Sequence, residues 1–161
     1  GIDIVVPTTV VGSGTVSQPS FTTLEFETGI ANNTLLFGSM HQGEHASAQV
    51  KLNGIGAISS FTDGEKYNIG VGRKFNDSLS ASLSYTTEEG SSATGTSLLS
   101  PTNGTDTYAL GINYSTESVD IAFGYAMSSF GDKAVTTAYG TGNFTNNDAT
   151  TTGLRIKFKL P

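Results

Sequence analysis

Along most of the chain, apolar side chains recur at every second residue. Tyr67, Ile69, Val71 and Phe75 alternate with Lys66, Asn68, Gly70, Gly72 and Lys74. Leu79, Ala81, Leu83 and Tyr85 alternate with Ser80, Ser82 and Ser84, and Tyr108, Leu110, Ile112 and Tyr114 with Ala109, Gly111 and Asn113. The same rhythm runs through Val119, Ile121, Phe123, Tyr125 and Met127, and again through Leu154, Ile156, Phe158 and Leu160. A period of two is the mark of a β-strand with one apolar face and one polar or small face. Two earlier strands are less regular. Leu24, Phe26 and Ile30 mark one; in the next, Leu36 and Met40 share a face while Phe37 and His41 share the other, so its register stays open. The predicted strands fall near 20–30, 33–44, 64–75, 78–88, 106–115, 119–130 and 150–160.

The connections are of two kinds. Ala31-Asn32-Asn33, Asn76-Asp77 and Ser115-Thr116-Glu117-Ser118 are tight polar turns of hairpin type. Between them lie long Gly-, Ser-, Thr- and Asn-rich links near 45–63, 89–105 and 131–149. Compact soluble domains seldom hold three structureless links of that length. Strict alternation of short and long connections is the habit of transmembrane barrels, with short periplasmic turns and long extracellular loops. A strand of about 10 residues tilted by about 45° spans roughly 23 Å, close to the apolar band of such barrels. Tyr67 and Phe75, Tyr85, Tyr108 and Tyr114, and Tyr125 fall near predicted strand ends, as interfacial girdles require. The pattern therefore predicts an all-β, antiparallel transmembrane barrel segment of about seven strands, occupying 1–161 as one unit. Residues 1–19 read as an extracellular loop or partial strand and 20–160 as strands with long loops. Barrels of this kind have an even strand number. Ile2-Asp3-Ile4-Val5-Val6 offers an eighth strand that Pro7 and Gly12-Ser13-Gly14 interrupt.

Composition narrows the function classes. The 161 residues include no Cys, no Trp, two His and 20 Gly, and the net charge is −6. The missing Cys removes disulfides, thiolate nucleophiles and Cys-based zinc sites. The acidic balance argues against nucleic acid, whose phosphates need clustered Lys and Arg. Charged residues make up only 14%, with nine Phe and six Tyr, a profile unlike that of disordered chains. No stretch approaches the ~20 apolar residues of a spanning helix. The chain opens on Gly1 without a secretory signal, which reads as a processed product or a piece of something longer.

Several segments taken in order resemble a known family. Leu24-Glu25-Phe26-Glu27-Thr28-Gly29-Ile30 precedes Thr34-Leu35-Leu36-Phe37-Gly38-Ser39, and Tyr67-Asn68-Ile69-Gly70-Val71-Gly72-Arg73-Lys74-Phe75 follows. Leu99-Ser100-Pro101-Thr102-Asn103-Gly104, Phe123-Gly124-Tyr125, Gly131-Asp132 and Gly153-Leu154-Arg155-Ile156 complete the series. Together they resemble the C-terminal half of the outer-membrane long-chain fatty acid transporters, the FadL/TodX family. The resemblance implies about seven strands of a fourteen-stranded barrel in the bacterial outer membrane, plugged by a hatch that this chain lacks. It implies passive inward transport of long-chain fatty acids or other hydrophobic compounds, with no catalysis and no cofactor. The implied partners are outer-membrane lipid, the hydrophobic ligand and the outer-membrane assembly machinery, in a protein that is monomeric at full length. Two features depart from the family: His41-Gln42-Gly43-Glu44-His45 replaces an Arg- and Trp-rich strand end, and the chain closes on Lys159-Leu160-Pro161 rather than an aromatic residue. An alternative is a small eight-stranded barrel acting as a structural anchor or adhesin, with 2–11 pairing with 150–160. A third is a secreted soluble β-sandwich.

Candidate site residues follow from these faces. Glu25, Glu27, Arg155, Lys157 and Lys159 share the polar faces of their strands, which a barrel turns inward. They form either an electrostatic site for a ligand carboxylate or an ion-pair network that solvates the lumen. Ile55, Ile58, Phe61, Leu98 and Leu99 are apolar residues on loops and form either a landing site for hydrophobic ligand or loop self-packing. His41 and His45, four apart on an extended strand, stand ~13 Å apart, too far to share a metal ion. Ser80, Ser82 and Ser84 lack a neighbouring His or a nucleophile elbow and read as lumen lining. Gly70-Val71-Gly72-Arg73-Lys74 is followed by a turn and a strand, not by the helix a phosphate loop needs.

Overall fold

A computed structural model describes residues 13–57, 61–90, 103–137 and 140–159. In chain order the strands are β1 (Gly14–Thr15), β2 (Phe21–Ala31), β3 (Thr34–Gly43), β4 (Lys51–Leu52), β5 (Gly56–Ala57), β6 (Gly64–Lys74) and β7 (Leu79–Glu88). They continue with β8 (Thr105–Ser115), β9 (Val119–Phe130), β10 (Lys133–Thr137), β11 (Gly140–Phe144) and β12 (Asn147–Phe158). A 3-10 turn, His45–Ala48, lies between β3 and β4. Seven long strands form one antiparallel sheet in the order β12-β9-β8-β7-β6-β3-β2. Each has 10 to 12 residues, enough to cross a bilayer at a tilt of about 45°. Among the described residues no helix is long and apolar enough to cross a membrane, which says nothing about crossing by strands.

The tight turns close through the side chains the sequence supplies there. Asn33 adopts a positive φ of 58°, which Asn tolerates, and its carbonyl accepts the Lys74 amide. Asn76 Oδ1 accepts from the amides of both Ser78 and Leu79 at 2.9 Å. Thr116 Oγ1 accepts in the same way from Ser118 and Val119. Lys74 donates to Asp77 at 2.9 Å and its charge adds to that bond, holding the Asp77 carboxyl below the usual carboxylate range. The stabilisation this gives is present at neutral pH and fades as acid protonates Asp77.

Two of the three long links are more ordered than the expected structureless segments, while most of the third, 91–102, lies outside the described residues. Segment 45–63 holds the 3-10 turn and the strands β4 and β5, which join β1 from upstream in a small sheet of order β1-β4-β5, with Gly14–Thr15 paired to Lys51–Leu52. Segment 131–149 holds a hairpin, β10–β11, followed by the first residues of β12, which begins at Asn147 rather than near 150. Residues 2–11, the eighth strand of the alternative barrel, lie outside the described residues.

Lateral pairing assigns every strand position to a face. One row reads Thr152, Tyr125, Leu110, Leu83, Val71, Leu36 and Thr28 from β12 to β2, and the next reads Thr150, Met127, Tyr108, Tyr85, Ile69, Gly38 and Phe26. This face is apolar and bare. Leu154 is 66% exposed, Leu24 64% and Phe158 72%, whereas the buried hydrophobic residues among those described are Ala48 and Val135, both away from the long strands. Tyr67, Tyr85 and Tyr108 border the apolar band at the loop end, where Tyr67 donates to Glu65 and Tyr85 to Asp106. Tyr114 and Phe75 border it at the turn end, with Arg73 over the Phe75 ring at 6.0 Å. Tyr125, expected near a strand end, instead stands in the middle row opposite Leu110.

The other face is built from small and polar groups. Its central row reads Gly153, Gly124, Gly111, Ser82, Gly72, Leu35 and Gly29. The register left open for β3 resolves here: Leu36 and Met40 join the apolar face, while Leu35, Phe37, Ser39 and His41 join the small-residue face.

Two outcomes test the assignment of faces. An Arg at the middle of the apolar band, Leu83→Arg, is expected to lower stability in micelles by about 2–4 kcal/mol, and Ser84→Arg on the other face by clearly less. At Gly38, an added Cβ would sit 2.5 Å from the Phe26 ring and 2.8 Å from the Asn68 carbonyl oxygen, whereas at Gly124 it meets nothing within 4 Å. Gly38→Ala is therefore expected to cost about 1–3 kcal/mol, and Gly124→Ala less than about 1 kcal/mol. Denaturant titration of each variant checks both pairs.

Candidate functional site

The small-residue face carries three cavities in succession, all of them touching β3. At the loop end a cavity of about 530 Å³ is lined by Phe21, His41, Asp63, Lys66, Glu88 and Lys133 among others. Next, a cavity of about 470 Å³ is lined by Glu25, Phe26, Glu27, Phe37, Gly38, Ser39 and Asn68. Toward the tight turns, one of about 520 Å³ is lined by Gly29, Leu35, Phe37, Gly72, Lys74 and Asn113 among others. Each has the volume of a small-molecule site.

Local sequence explains these spaces. Gly70 and Gly72 stand directly across from Phe37 and Leu35, so the wall beside the two large side chains carries none of its own. The Phe37 ring occupies the place a Cβ on Gly70 would take. Asn68 donates to Thr86 Oγ1 at 2.7 Å and to the Tyr85 carbonyl at 3.3 Å, which holds its side chain along the wall of the middle cavity. At the loop end the His41 ring stacks on Phe21 with centroids 5.5 Å apart, and His45 meets the same ring edge-on at 5.4 Å. His41 Nδ1 also shares a 2.9 Å hydrogen bond with Thr23 Oγ1. Both imidazoles are thus engaged with Phe21.

The sequence candidates distribute over this frame. Glu25 and Glu27 of β2 and Arg155 and Lys157 of β12 all lie on the small-residue face. They occupy opposite edges of the sheet, six strand spacings or roughly 29 Å apart along it, so they do not form one site on these strands. Among the described residues, none of the four has a hydrogen-bonded or ion-paired partner. Lys159 follows β12 and is engaged at the tight-turn end: it pairs with Asp120 at 2.7 Å and donates to the Thr116 carbonyl at 2.8 Å and to Ser115 Oγ at 3.2 Å. It ties the last strand to the β8–β9 turn. Ile55 (71% exposed) and Phe61 (47%) stand out on the loops, while Ile58, Leu98 and Leu99 lie outside the described residues. Gln49 presents Phe61: its side-chain amide donates to the Phe61 carbonyl at 2.7 Å and accepts from the Phe61 amide at 3.0 Å.

Leu35, Phe37, Ser39 and Asn68 did not stand out in the sequence. The signal that could have found them is the pairing of two large residues with two glycines once the Asn32-Asn33 turn fixes the register.

No protein-family model matches the chain, and no curated protein matches it. Among solved structures, the crystal structure of a Pseudomonas aeruginosa FadL homologue superimposes with a TM-score of 0.62 at 15% identity. The match covers 86% of this chain and 34% of that one, so this chain spans about a third of that structure's length. The likeness gives the fold: an antiparallel sheet of the FadL-like outer-membrane barrel type.

Gln49→Ala is expected to release the Phe61 backbone. Amide exchange at Phe61 should speed up several-fold and the 49–61 segment should become more sensitive to protease, with the exchange of β6–β9 amides unchanged.

Proposed function

We propose that this chain is part of the wall of a bacterial outer-membrane barrel that passes hydrophobic molecules inward without an energy source, and that it catalyses no reaction. The observation that carries the reading is a sheet with one apolar face, many of whose large side chains stand exposed among the described residues, and one face of small and polar groups that holds cavities in a row along β3. The short turns then face the periplasm and the ordered loops face outward. Leu35 and Phe37, apolar and turned inward, are suited to an alkyl chain. Long-chain fatty acids are the substrate class that the sequence resemblance implies, and the FadL-like fold is consistent with it.

Topology supports a barrel larger than the described sheet. The first and last of seven antiparallel strands run in the same direction, so β2 and β12 cannot close on each other in an antiparallel barrel. Each edge calls for a further strand. A single added strand would satisfy both edges and give the small anchor or adhesin, a reading favoured by the ordered β1-β4-β5 sheet and the β10–β11 hairpin at the loop end.

Uptake separates the two. Expressed at full length in cells lacking their own fatty-acid uptake, the protein is expected to restore entry of labelled oleate or another long-chain hydrophobe. Correct insertion with no entry of any such compound would leave the anchor reading.

A further inference from the structure

We infer that the inner face of β3 is the track along which a hydrophobic molecule moves, with Phe37 as the residue that positions its chain midway. The inference rests on the transport reading and assigns its route and the kind of molecule that fits.

The three cavities are not scattered over the inner face. The first touches His41, the second Ser39 and Phe37, and the third Phe37 and Leu35, which are successive inward positions of one strand. From His41 to Leu35 this is six residues, about 20 Å of travel. Phe37 alone lines both of the deeper cavities and so forms the boundary between them. Its ring lies over Gly70 and the wall, not across the lumen, because Gly70 has no Cβ to push it out. The inward positions of β8 and β9 at the same level, Ala109 and Ala126, offer no large apolar side chain to a ligand.

The chemistry beside Phe37 selects the head group. Glu27 stands directly across from Phe37, with Cβ atoms roughly 4.5–5.5 Å apart, and Glu25 across from Ser39. Neither carboxylate has a cationic partner among the described residues. Lys66 stands higher, at the loop-end cavity, and Lys74 lower, where it is paired with Asp77. A carboxylate accepts hydrogen bonds and repels a second anion. The stretch at Phe37 therefore suits an apolar chain that ends in an uncharged hydrogen-bond donor, such as a fatty alcohol, better than an ionised fatty acid.

Because the chain holds no Cys, single cysteines report on this route cleanly. In the full-length protein in vesicles, Ser39→Cys, Leu35→Cys and, as a control, Ala109→Cys are treated with a water-soluble methanethiosulfonate at pH 8. The expected result is that dodecanol slows modification at Ser39→Cys and Leu35→Cys several-fold, leaves Ala109→Cys unchanged, and outperforms dodecanoate. Adding Phe37→Ala is expected to raise the half-protecting dodecanol concentration about tenfold, and Phe37→Leu to restore most of the effect. Unchanged mobility of the folded barrel on unheated gels verifies that each variant is folded. Equal protection at Ala109→Cys, or none at β3 while the same protein still carries oleate into cells, overturns the track and leaves transport standing. Protection by dodecanoate equal to that by dodecanol overturns the head-group assignment. Loss of uptake by the unmodified protein counts against the transport reading instead.

Discussion

One constraint organises this molecule: among the described residues, nothing packs over the apolar face of its sheet. More than ten large side chains on the long strands are substantially exposed, from Leu24 and Phe26 on β2 to Leu154, Ile156 and Phe158 on β12. Full exposure costs about 1.5–3 kcal/mol per side chain, so at roughly half exposure the sum is comparable with the ~5–15 kcal/mol by which folded domains are stable. A hydrocarbon environment removes the cost, and closed sheets and helices are the structures that cross it with every backbone group paired. The Tyr residues toward the loop end, the Tyr114–Phe75 border toward the turns and the Arg73 side chain lying over Phe75 fit the two boundaries of such an environment.

Given that constraint, the opposite face is free to be a lumen, and its composition decides what it can hold. Most inward positions are Gly, Ala, Ser or Thr, which keep the wall thin. Phe37 and Leu35 break that rule on a single strand, and both are matched to glycines on β6. The cavity toward the tight turns is lined by Leu35 and Phe37 together with Gly72. At the two edges the inward charges are acidic on β2 and basic on β12, while Lys66, Lys74, Glu88 and Asp120 stand on the strands between them.

The fold was legible because lipid and lumen impose the simplest sequence pattern there is, strict alternation, and because Asn33, Asn76 and Thr116 close their turns with their own side chains. Strand ends were less legible. Asn147, Asp148 and Ala149 carry no alternation, yet they pair with Phe130, Ser129 and Ser128 and lengthen β12. The loop hairpin and the small sheet escaped notice since their strands are short and polar, held by backbone pairing rather than by a face. On β3 the alternation fails because both faces hold large apolar residues, and only the partners on β2 and β6 tell them apart. Lys159, one of the charged residues offered as a ligand or ion-pair group, pairs with Asp120 and donates to the Thr116 carbonyl at the tight-turn end.

The most direct test of lipid contact on one face is spin-label accessibility along β7, residue by residue from Leu79 to Glu88, using single cysteines in the full-length chain in vesicles. The account predicts a period of two, with labels at 79, 81, 83 and 85 favouring collision with oxygen dissolved in lipid and labels at 80, 82, 84 and 86 favouring a water-soluble nickel complex. Labels at 81 and 83 that were immobile and shielded from both reagents would mean protein packs against that face, and the barrel assignment would fail.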